Sequence, residues 1–304
     1  MDEIDLKILM LLTANSRTPY KQLADEFHIS VNSIHKRVKL LVQLGVIQHF
    51  KARLGIANFP NISNIVMFGI SNVKDKKLLL DQLGENEFIY NISRASGNKF
   101  YFHAYIRNMN ELDSLVTFIR KTGKISELTV GIDRNMPSIS IKNKKNLTNL
   151  DYLIVNSLKD NSRKTISDVA EEVGASTKTI KRRLDSLIEN LLIEFQIDWF
   201  PTLIFTMIIL KLKSDSLLDD RDFNSNLKKN YGSRIVFSWA FSNLPHIKLI
   251  CVWTESMKEL QNIEFSLVSE NYDSVEVSIL IEGKDFPTWR ETYLKEKIQE
   301  IVRL

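Results

Sequence analysis

The sequence is poor in cysteine, glycine and proline, and each shortage excludes a class of protein. Its single cysteine, Cys251, cannot form an internal disulfide or a cysteine-based metal site. Cys251 stands in the apolar run Leu249–Trp253, so we interpret it as a small buried hydrophobic residue rather than a reactive thiol. Ten glycines and six prolines in 304 residues leave no low-complexity tract, and we expect little disorder.

Long hydrophobic runs are also missing. The longest apolar stretch, Leu203 to Leu212, is interrupted by Thr206 and has about half the length of a membrane span. Residues Met1–Asp5 lack the basic start and apolar core of a signal peptide. With the absence of disulfides, these features predict a cytoplasmic protein that has no membrane partner.

Acidic residues are missing locally, although the net charge is only +4. No Asp or Glu lies between Phe27 and Lys74, or in the window Val173–Leu184. The basic residues inside these two windows are Lys36, Arg37, Lys39, Lys51, Arg53, Lys178, Lys181, Arg182 and Arg183. Such patches are typical of a polyanion-binding face, and equally of ordinary solvated surface, so charge alone leaves both open.

The chain is an internal duplication. A shift of 146 positions aligns Ile4–Ile47 with Leu150–Ile193 without a gap. Identical residues include Asp5/Asp151, Asn15/Asn161, Ser16/Ser162, Arg17/Arg163, Ala24/Ala170, Ser30/Ser176, Ile34/Ile180, Arg37/Arg183 and Leu41/Leu187. The similarity continues more weakly downstream, so each repeat occupies about half of the chain.

Each repeat begins with three helical patterns. In the first repeat a polar break at Asn15-Ser16-Arg17 separates the first two helices, and Ser30 caps a basic third helix. Gly45 ends that helix in the position that a left-handed C-cap requires, and Val46–Phe50 starts a β-wing. The second repeat keeps this plan with Ser176 as the cap but has Leu191 instead of the glycine. The order predicts a winged helix-turn-helix in each repeat.

The spacing of these residues resembles the Lrp/AsnC (feast/famine) transcription regulators of prokaryotes, including archaea. The matching residues are Ile4-Asp5, Lys7-Ile8-Leu9, Asn15-Ser16-Arg17, Leu23-Ala24, Ser30, Ile34, Lys36-Arg37-Val38 and Leu44–Ile47, and in the second repeat Leu150-Asp151, Asn161–Arg163, Val169-Ala170, Ser176 and Lys181–Leu184. The resemblance is specific within the helix-turn-helix and suggestive in the rest of each repeat. It implies a double-stranded-DNA-binding regulator that responds to a small molecule, often an amino acid.

The remainder of each repeat alternates strands and helices in the order β-α-β-β-α-β, which is ferredoxin-like, the RAM-type domain of the family. The fold class is therefore α+β. The expected segments are a winged helix at 1–54, a ferredoxin-like domain at 60–141, a basic linker at 142–149, a second winged helix at 150–200, a second ferredoxin-like domain at 202–284 and a C-terminal helix at 285–304.

One face of each ferredoxin-like sheet is left without helices and must pair with a partner. Because the chain supplies two such sheets, we expect an intramolecular pseudo-dimer, alone or within a homodimer or higher oligomer. The C-terminal helix packs either on its own domain or, less favoured, against a partner.

The exposed side of each recognition helix supplies the candidate DNA contacts, since the opposite side is apolar. Hydroxyl and amide groups can read bases, whereas Lys and Arg more often meet phosphates. The candidates, with two residues of the first wing, are Ser30, Asn32, Ser33, His35, Lys36, Lys39, Lys51, Arg53, Ser176, Lys178, Thr179, Lys181 and Arg182.

Two features of this set remain open. Arg37 and Arg183 adjoin the apolar stripes and are equally compatible with structural ion pairs and with DNA contacts. The second wing carries the acids Glu194 and Asp198, so the two units should contribute unequally.

The hairpin turn at Gly97-Asn98 is the candidate effector site, although a turn needs these residues in any case. The corresponding turn, Asn243-Leu244-Pro245, differs, which argues against two equivalent pockets. We expect no catalytic residue, cofactor or metal site.

Two alternatives to a specific regulator remain. Siroheme decarboxylases share the two-domain plan and rely on His and Tyr near this hairpin, where the present chain has Tyr90 and His103. A sequence-independent DNA-coating protein is the other alternative.

Overall fold

The computed structural model describes residues 1–134, 146–201, 203–213, 220–270 and 272–303. The first repeat contains α1 (Glu3–Ala14), α2 (Tyr20–Phe27), α3 (Val31–Gln43), β1 (Ile47–Leu54), β2 (Ser63–Ile70), α4 (Lys76–Gly84), β3 (Ile89–Ala95), β4 (Lys99–Ile106), α5 (Met109–Gly123) and β5 (Leu128–Ile132). Part of the expected linker, residues 142–145, lies outside the described residues.

The second repeat follows the same order. It contains α6 (Asn149–Leu158), α7 (Ile166–Val173), α8 (Thr177–Glu189), β6 (Ile193–Trp199), β7 (Ile204–Leu212), α9 (Asp220–Tyr231), β8 (Ile235–Ala240), β9 (Ile247–Thr254), α10 (Met257–Ser269) and β10 (Tyr272–Asp285), followed by α11 (Trp289–Val302). The predicted fold class, a winged helix-turn-helix followed by a β-α-β-β-α-β domain in each repeat, is confirmed.

The chain forms two compact units, and each unit takes residues from both repeats. Unit 1 contains Met1–Pro60, the described residues from 146 to Phe200, and the C-terminal segment from Pro287. Unit 2 contains the residues from Asn61 to 134 and from Pro201 to Phe286. Unit 1 therefore holds both helix-turn-helix segments, and unit 2 holds both ferredoxin-like segments.

In unit 1 each helix-turn-helix core is completed by a strand of the other repeat. β1 pairs antiparallel with β6, from Ile47 opposite Trp199 to Leu54 opposite Ile193. Ile197 of β6 packs in the core of the first domain, whereas Ala52 and Leu54 of β1 pack in the core of the second. The expected wing is thus not an isolated strand but half of a shared ribbon.

α11 packs on the second helix-turn-helix domain, in agreement with the favoured expectation. Leu294 is buried in that domain's apolar core, and Tyr293 and Ile298 pack against the same core. Among the described residues, no helix is long and apolar enough to cross a membrane.

Unit 2 contains one eight-stranded sheet in the order β5-β2-β4-β3-β10-β7-β9-β8. The repeats join where β3 pairs antiparallel with β10, from Ala95 opposite Leu280 to Asn91 opposite Asp285. The outer strands also meet, because Asp133 after β5 forms a bridge with Phe241 after β8. Asn243 supports this second contact by accepting a bond from the Ile132 amide and donating one to the Val130 carbonyl, each at 2.8 Å.

The helix-free faces of the two halves of unit 2 contact each other. The Tyr101 hydroxyl lies 2.6 Å from the Ser278 hydroxyl of the other repeat, and the His103 ring lies 5.2 Å from the Trp239 ring. A Cβ atom at Gly131 would collide with the Phe241 ring. The expected pseudo-dimer of ferredoxin-like halves is present within unit 2.

Candidate nucleic-acid interface

The recognition helix of the first repeat, α3, is capped and two-sided. The Ser30 hydroxyl accepts a hydrogen bond from the Ser33 amide at 3.1 Å and lies 2.8 Å from the Ser33 hydroxyl. This cap satisfies an amide that would otherwise have no partner at the helix start. The side that faces the core is buried through Ile34, Val38 and Leu41. The exposed candidates of this helix are Asn32, His35, Lys36 and Lys39.

The recognition helix of the second repeat, α8, has the same construction. Ser176 caps it by accepting from the Thr179 amide at 3.1 Å. Ile180, Leu184 and Leu187 are buried, whereas Ser176, Lys178, Lys181 and Arg182 are exposed. Both helices therefore present polar and cationic side chains on the side away from the core, as the sequence predicts.

Arg37 and Arg183 form structural ion pairs. Arg37 donates to Asp5 at 2.7 Å and to Asp2 at 2.9 Å, and these carboxylates raise its pKa, the hydrogen bond from Asp5 having the largest effect. Arg183 binds Asp151, which is only 1% exposed, and the pKa of Arg183 is raised mainly by that bond. Of the two interpretations left open by the sequence, the geometry favours the ion pair in both repeats.

His35 contacts an aromatic ring rather than a metal site. The Tyr20 and His35 rings meet edge to face with centroids 4.4 Å apart. Among the described residues, no group of His, Cys, Asp or Glu side chains could hold a metal ion. The contact holds His35 on the exposed side of α3.

The basic residues of the first wing are engaged by acids within unit 1. Lys51 forms an ion pair with Asp198 of the second wing. Arg53 is 7% exposed and lies 3.1 Å from Glu291 of α11. A buried and paired guanidinium cannot reach a phosphate without breaking these contacts, so the expected contact of Arg53 with DNA does not fit its position. The sequence analysis noted the acids of the second wing but could not show that they neutralise the first.

The residues that sequence analysis missed are in the polar break before the second helix of each domain. Ser16 and Ser162 are fully buried, and their hydroxyls are 2.5 Å apart. The identity of Asn-Ser-Arg in both repeats was visible in the sequence. Nothing in the sequence indicates that the two copies contact each other.

The effector candidates Gly97 and Asn98 lie in the hairpin turn between β3 and β4. Both have positive φ, 68° and 58°, which is the left-handed conformation that such turns require. The Asn98 carbonyl accepts from the Ser71 amide at 3.0 Å. These contacts give both residues a structural role.

A polar cluster lies on the helix-free face of the first half of unit 2. The Tyr90 hydroxyl donates to the Asn64 amide oxygen at 3.2 Å, and the Asn64 amide donates to Asp133 at 2.9 Å. The Tyr90 and His103 ring centroids are 5.8 Å apart. Burial raises the pKa of Tyr90 well above its ordinary value and lowers the pKa of His103 to about 4. His103 is therefore neutral at neutral pH.

The two helix-turn-helix segments match a known family and named regulators. Residues 1–48 and 147–193 each match the family described as winged helix-turn-helix DNA-binding. The HTH-type transcriptional regulator LysM of Sulfurisphaera tokodaii is 43% identical over 67 residues, which are 22% of this chain and 46% of LysM. The match thus spans less than half of LysM.

Other relatives match over most of their length. The HTH-type transcriptional regulator LrpA of Pyrococcus horikoshii is 26% identical over 147 residues, which are 48% of this chain and 99% of LrpA. The HTH-type transcriptional regulator Ptr1 of Methanocaldococcus jannaschii is 29% identical over 121 residues, which are 39% of this chain and 79% of Ptr1. One whole LrpA thus corresponds to about half of this chain, as a duplication requires.

The crystal structure of the siroheme decarboxylase NirDL resembles the chain over its full length. It covers 99% of both chains with a TM-score of 0.57 and 13% sequence identity. At this identity the similarity shows a shared fold and no shared activity. By its two family matches, its named relatives and its repeated fold, the chain is a tandem-duplicated protein of the Lrp/AsnC type with two winged helix-turn-helix domains.

Proposed function

We propose that the protein is a sequence-specific transcription regulator that binds double-stranded DNA, and not an enzyme. The observation that carries the proposal is the pair of capped recognition helices, α3 and α8, each with an apolar side buried and a polar, cationic side exposed. Helices of this kind enter the major groove with their N-terminal residues against the bases. Such a regulator acts in the cytoplasm.

The two helices offer different chemistry for two unequal half-sites. In α3 the groups suited to reading bases are Asn32 and His35, with the Ser30 and Ser33 hydroxyls at the cap. In α8 they are the hydroxyls of Ser176 and Thr179. The side chains suited to phosphates are Lys36, Lys39, Lys178, Lys181 and Arg182, and Lys51 contributes less because Asp198 pairs with it.

The proposal is tested by removing one cation from each recognition helix. Lys36→Ala and Lys181→Ala should each weaken binding to a random-sequence duplex and lower the salt slope by about one, because each removes one phosphate contact. Fluorescence anisotropy over a range of salt concentrations measures both quantities. Lys77→Ala, which removes an exposed lysine of unit 2, is the matched control and should leave the slope unchanged. If both test variants bind like the control, α3 and α8 are not the DNA-binding helices.

Specific regulation and DNA coating differ in the footprint. A regulator protects a few discrete regions of genomic fragments, whereas a coating protein protects DNA continuously as its concentration rises. Repeating the footprint with each of the common amino acids tests the proposed effector. An effector changes protection at constant protein concentration, because it must bind the DNA-bound and unbound states differently.

A siroheme decarboxylase-like enzyme is the second candidate function. The observations that favour it are the cluster of Tyr90, His103 and Asn64 on the helix-free face and the full-length fold similarity to NirDL. Adding siroheme and recording its absorption spectrum tests the idea. A spectral shift that is lost in His103→Ala would favour the enzyme, and an unchanged spectrum would remove it.

A further inference from the structure

The two polar breaks of unit 1 form a reciprocal contact, which we call the clasp and define as Ser16, Arg17, Ser162 and Arg163. The two serine hydroxyls are hydrogen-bonded to each other, and both side chains are fully buried. The Ser16 amide donates to the Phe195 carbonyl at 3.2 Å, and the Ser162 amide donates to the Phe50 carbonyl at 2.9 Å. Each polar break is therefore bound to the wing strand of the other repeat.

Each arginine of the clasp reaches across to the other domain. Arg17 donates to the Ser162 carbonyl and, at 2.9 Å, to the Lys164 carbonyl. Arg163 donates to the Ser16 carbonyl and, at 3.4 Å, to the Thr18 carbonyl. A planar guanidinium can bind two carbonyl oxygens in a fixed geometry, which a lysine ammonium cannot reproduce.

Aromatic faces complete the surroundings of both guanidiniums. Arg163 lies over the Tyr20 ring at 4.3 Å from its centroid and over the Phe50 ring at 5.7 Å, and Arg17 lies over the Phe195 ring at 5.6 Å. Burial lowers the pKa of both arginines, and the Arg163 charge lowers that of Arg17 further. Carbonyl oxygens and aromatic faces offset this unfavourable proximity of like charges.

The clasp is close to the recognition helices along the chain. Arg17 is three residues before Tyr20, the first residue of α2, and α2 packs on α3. Arg163 is likewise three residues before Ile166, the first residue of α7, which packs on α8. One short helix separates the clasp from each DNA-reading surface.

The first repeat has an additional, shorter connection. Arg163 stacks on Tyr20, and the Tyr20 ring contacts the ring of His35 on α3. The aligned residues of the second repeat are Ile166 and Lys181, which cannot form such a stack. An arginine of the second repeat thus supports a candidate base-reading residue of the first.

We infer that Arg17 and Arg163 are positioning residues that fix the separation and angle of α3 and α8, and that Arg163 also orients His35. The inference rests on the proposed DNA-binding function and deepens it: the clasp sets the spacing between the two half-sites that one chain recognises. Two reading helices held at one separation favour one half-site spacing, because linked binding is lost when the geometry does not match.

A measurement without DNA tests the positioning. Spin labels at Asn32→Cys and Lys178→Cys, aligned positions on α3 and α8, report the distance between the helices by double electron–electron resonance. Cys251 is buried and stays unlabelled. The wild-type background should give one narrow distance distribution, and Arg17→Ala/Arg163→Ala should broaden or shift it. Lys77→Ala/Lys258→Ala, which removes two exposed cations of unit 2, should not.

Single variants guard against loss of folding. Arg17→Ala and Arg163→Ala each leave half of the clasp, and thermal unfolding shows which variants are folded. Arg17→Lys/Arg163→Lys keeps the charge without the two-pronged geometry and should also broaden the distribution. A folded single or lysine variant with the wild-type distance distribution overturns the inference.

Selection from a pool of random 40-bp duplexes adds the DNA readout. The wild type should enrich paired motifs at one spacing, and folded clasp variants should bind that spacing about tenfold or more weakly while binding one half-site normally. Arg163→Ala should relax the motif of the first half-site more than Arg17→Ala does. If the wild type enriches nothing, the proposed function fails, and the resonance experiment still decides on positioning. If the variants keep the wild-type spacing preference, the positioning inference fails while the proposed function stands.

Discussion

At the scale of single residues, the repeated Arg–Asp pair shows how a charge near a DNA-binding face can serve folding. Asp151 accepts from Arg183 and caps α6 together with Thr148, all within unit 1. The aligned pair in the first repeat, Asp5 and Arg37, is more exposed and shares its arginine with Asp2. Sequence position alone could not separate this role from phosphate binding, because the arginine adjoins basic residues that face outward.

Arg183→Ala should therefore destabilise the protein by about 3 kcal/mol, because it leaves the carboxylate of Asp151 buried without its cation. Urea unfolding followed by circular dichroism measures the loss. The adjacent Arg182→Ala is the matched control: it removes an exposed guanidinium and should change the free energy of unfolding by less than about 0.5 kcal/mol. Equal stability of the two variants would show that the ion pair is dispensable.

His103 makes the stability of unit 2 depend on pH. Burial lowers its pKa from 6.5 to about 4 in the folded chain, so the unfolded chain takes up the proton first as the pH falls. The stabilising effect of the neutral, buried ring is complete above pH 6.5 and is lost progressively between pH 6.5 and 4, by roughly 3 kcal/mol in total.

His103→Gln should remove this part of the pH dependence without removing acid unfolding that comes from carboxylates. The measurement is the free energy of unfolding at a series of pH values for wild type and variant. A folded-state proton resonance of His103 that titrates near pH 6.5 would contradict the expectation directly.

At the scale of elements, local patterns predict well what local forces determine. The strand predicted at 99–106 is β4 with the same bounds, and the alternation of its side chains places Phe100 and Phe102 on one face and Tyr101 and His103 on the other. The caps Ser30 and Ser176 were also predicted correctly. Leu191, noted in the sequence as the departure from glycine, has a φ of 55° and keeps the left-handed conformation of its counterpart Gly45.

Pairing between distant segments could not be predicted from the sequence. β1 carries no local signal for its partner, and the pairing with β6 depends on the tertiary arrangement of two domains. β10 was expected at 274–281 but extends from Tyr272 to Asp285, because one part pairs with β7 and another with β3 of the first repeat. The candidate interface shares this limit, since the burial of Arg53 depends on Glu291 of the distant α11.

The exchange of strands predicts that a single helix-turn-helix segment does not fold alone. A fragment of residues 1–60 lacks Ile197 and Trp199, which pack on its core, and leaves β1 without a partner. An unpaired strand beside an incomplete core offers too little buried surface to offset the chain entropy. Thermal scans by circular dichroism should show no cooperative transition for this fragment, and the full chain is the control. A cooperative transition of the fragment would show that the β6 strand is not needed.

At the scale of the whole chain, duplication replaces two identical subunits by two halves that have diverged. The residues aligned with Asn32, His35 and Lys39 of α3 are Lys178, Lys181 and Asp185 of α8. The halves of unit 2 also differ, since the β3–β10 junction is a ladder of several residues and the β5–β8 junction is a single bridge reinforced by Asn243. Such divergence is open to a fused chain, because a symmetric dimer would change both copies at once.

If one chain supplies both reading helices, it should bind one duplex with two unequal half-sites in a ratio of one to one. The test titrates the protein into the duplex enriched from the random pool, at concentrations well above Kd, and determines the mass of the complex by light scattering. The complex should contain one chain of 35.2 kDa per duplex. Mirroring the operator, so that it carries the first half-site twice, should weaken binding, because α8 then faces bases that suit α3. Two chains on the natural operator, or equal affinity for the mirrored one, would mean that the halves act as one half of a larger symmetric assembly.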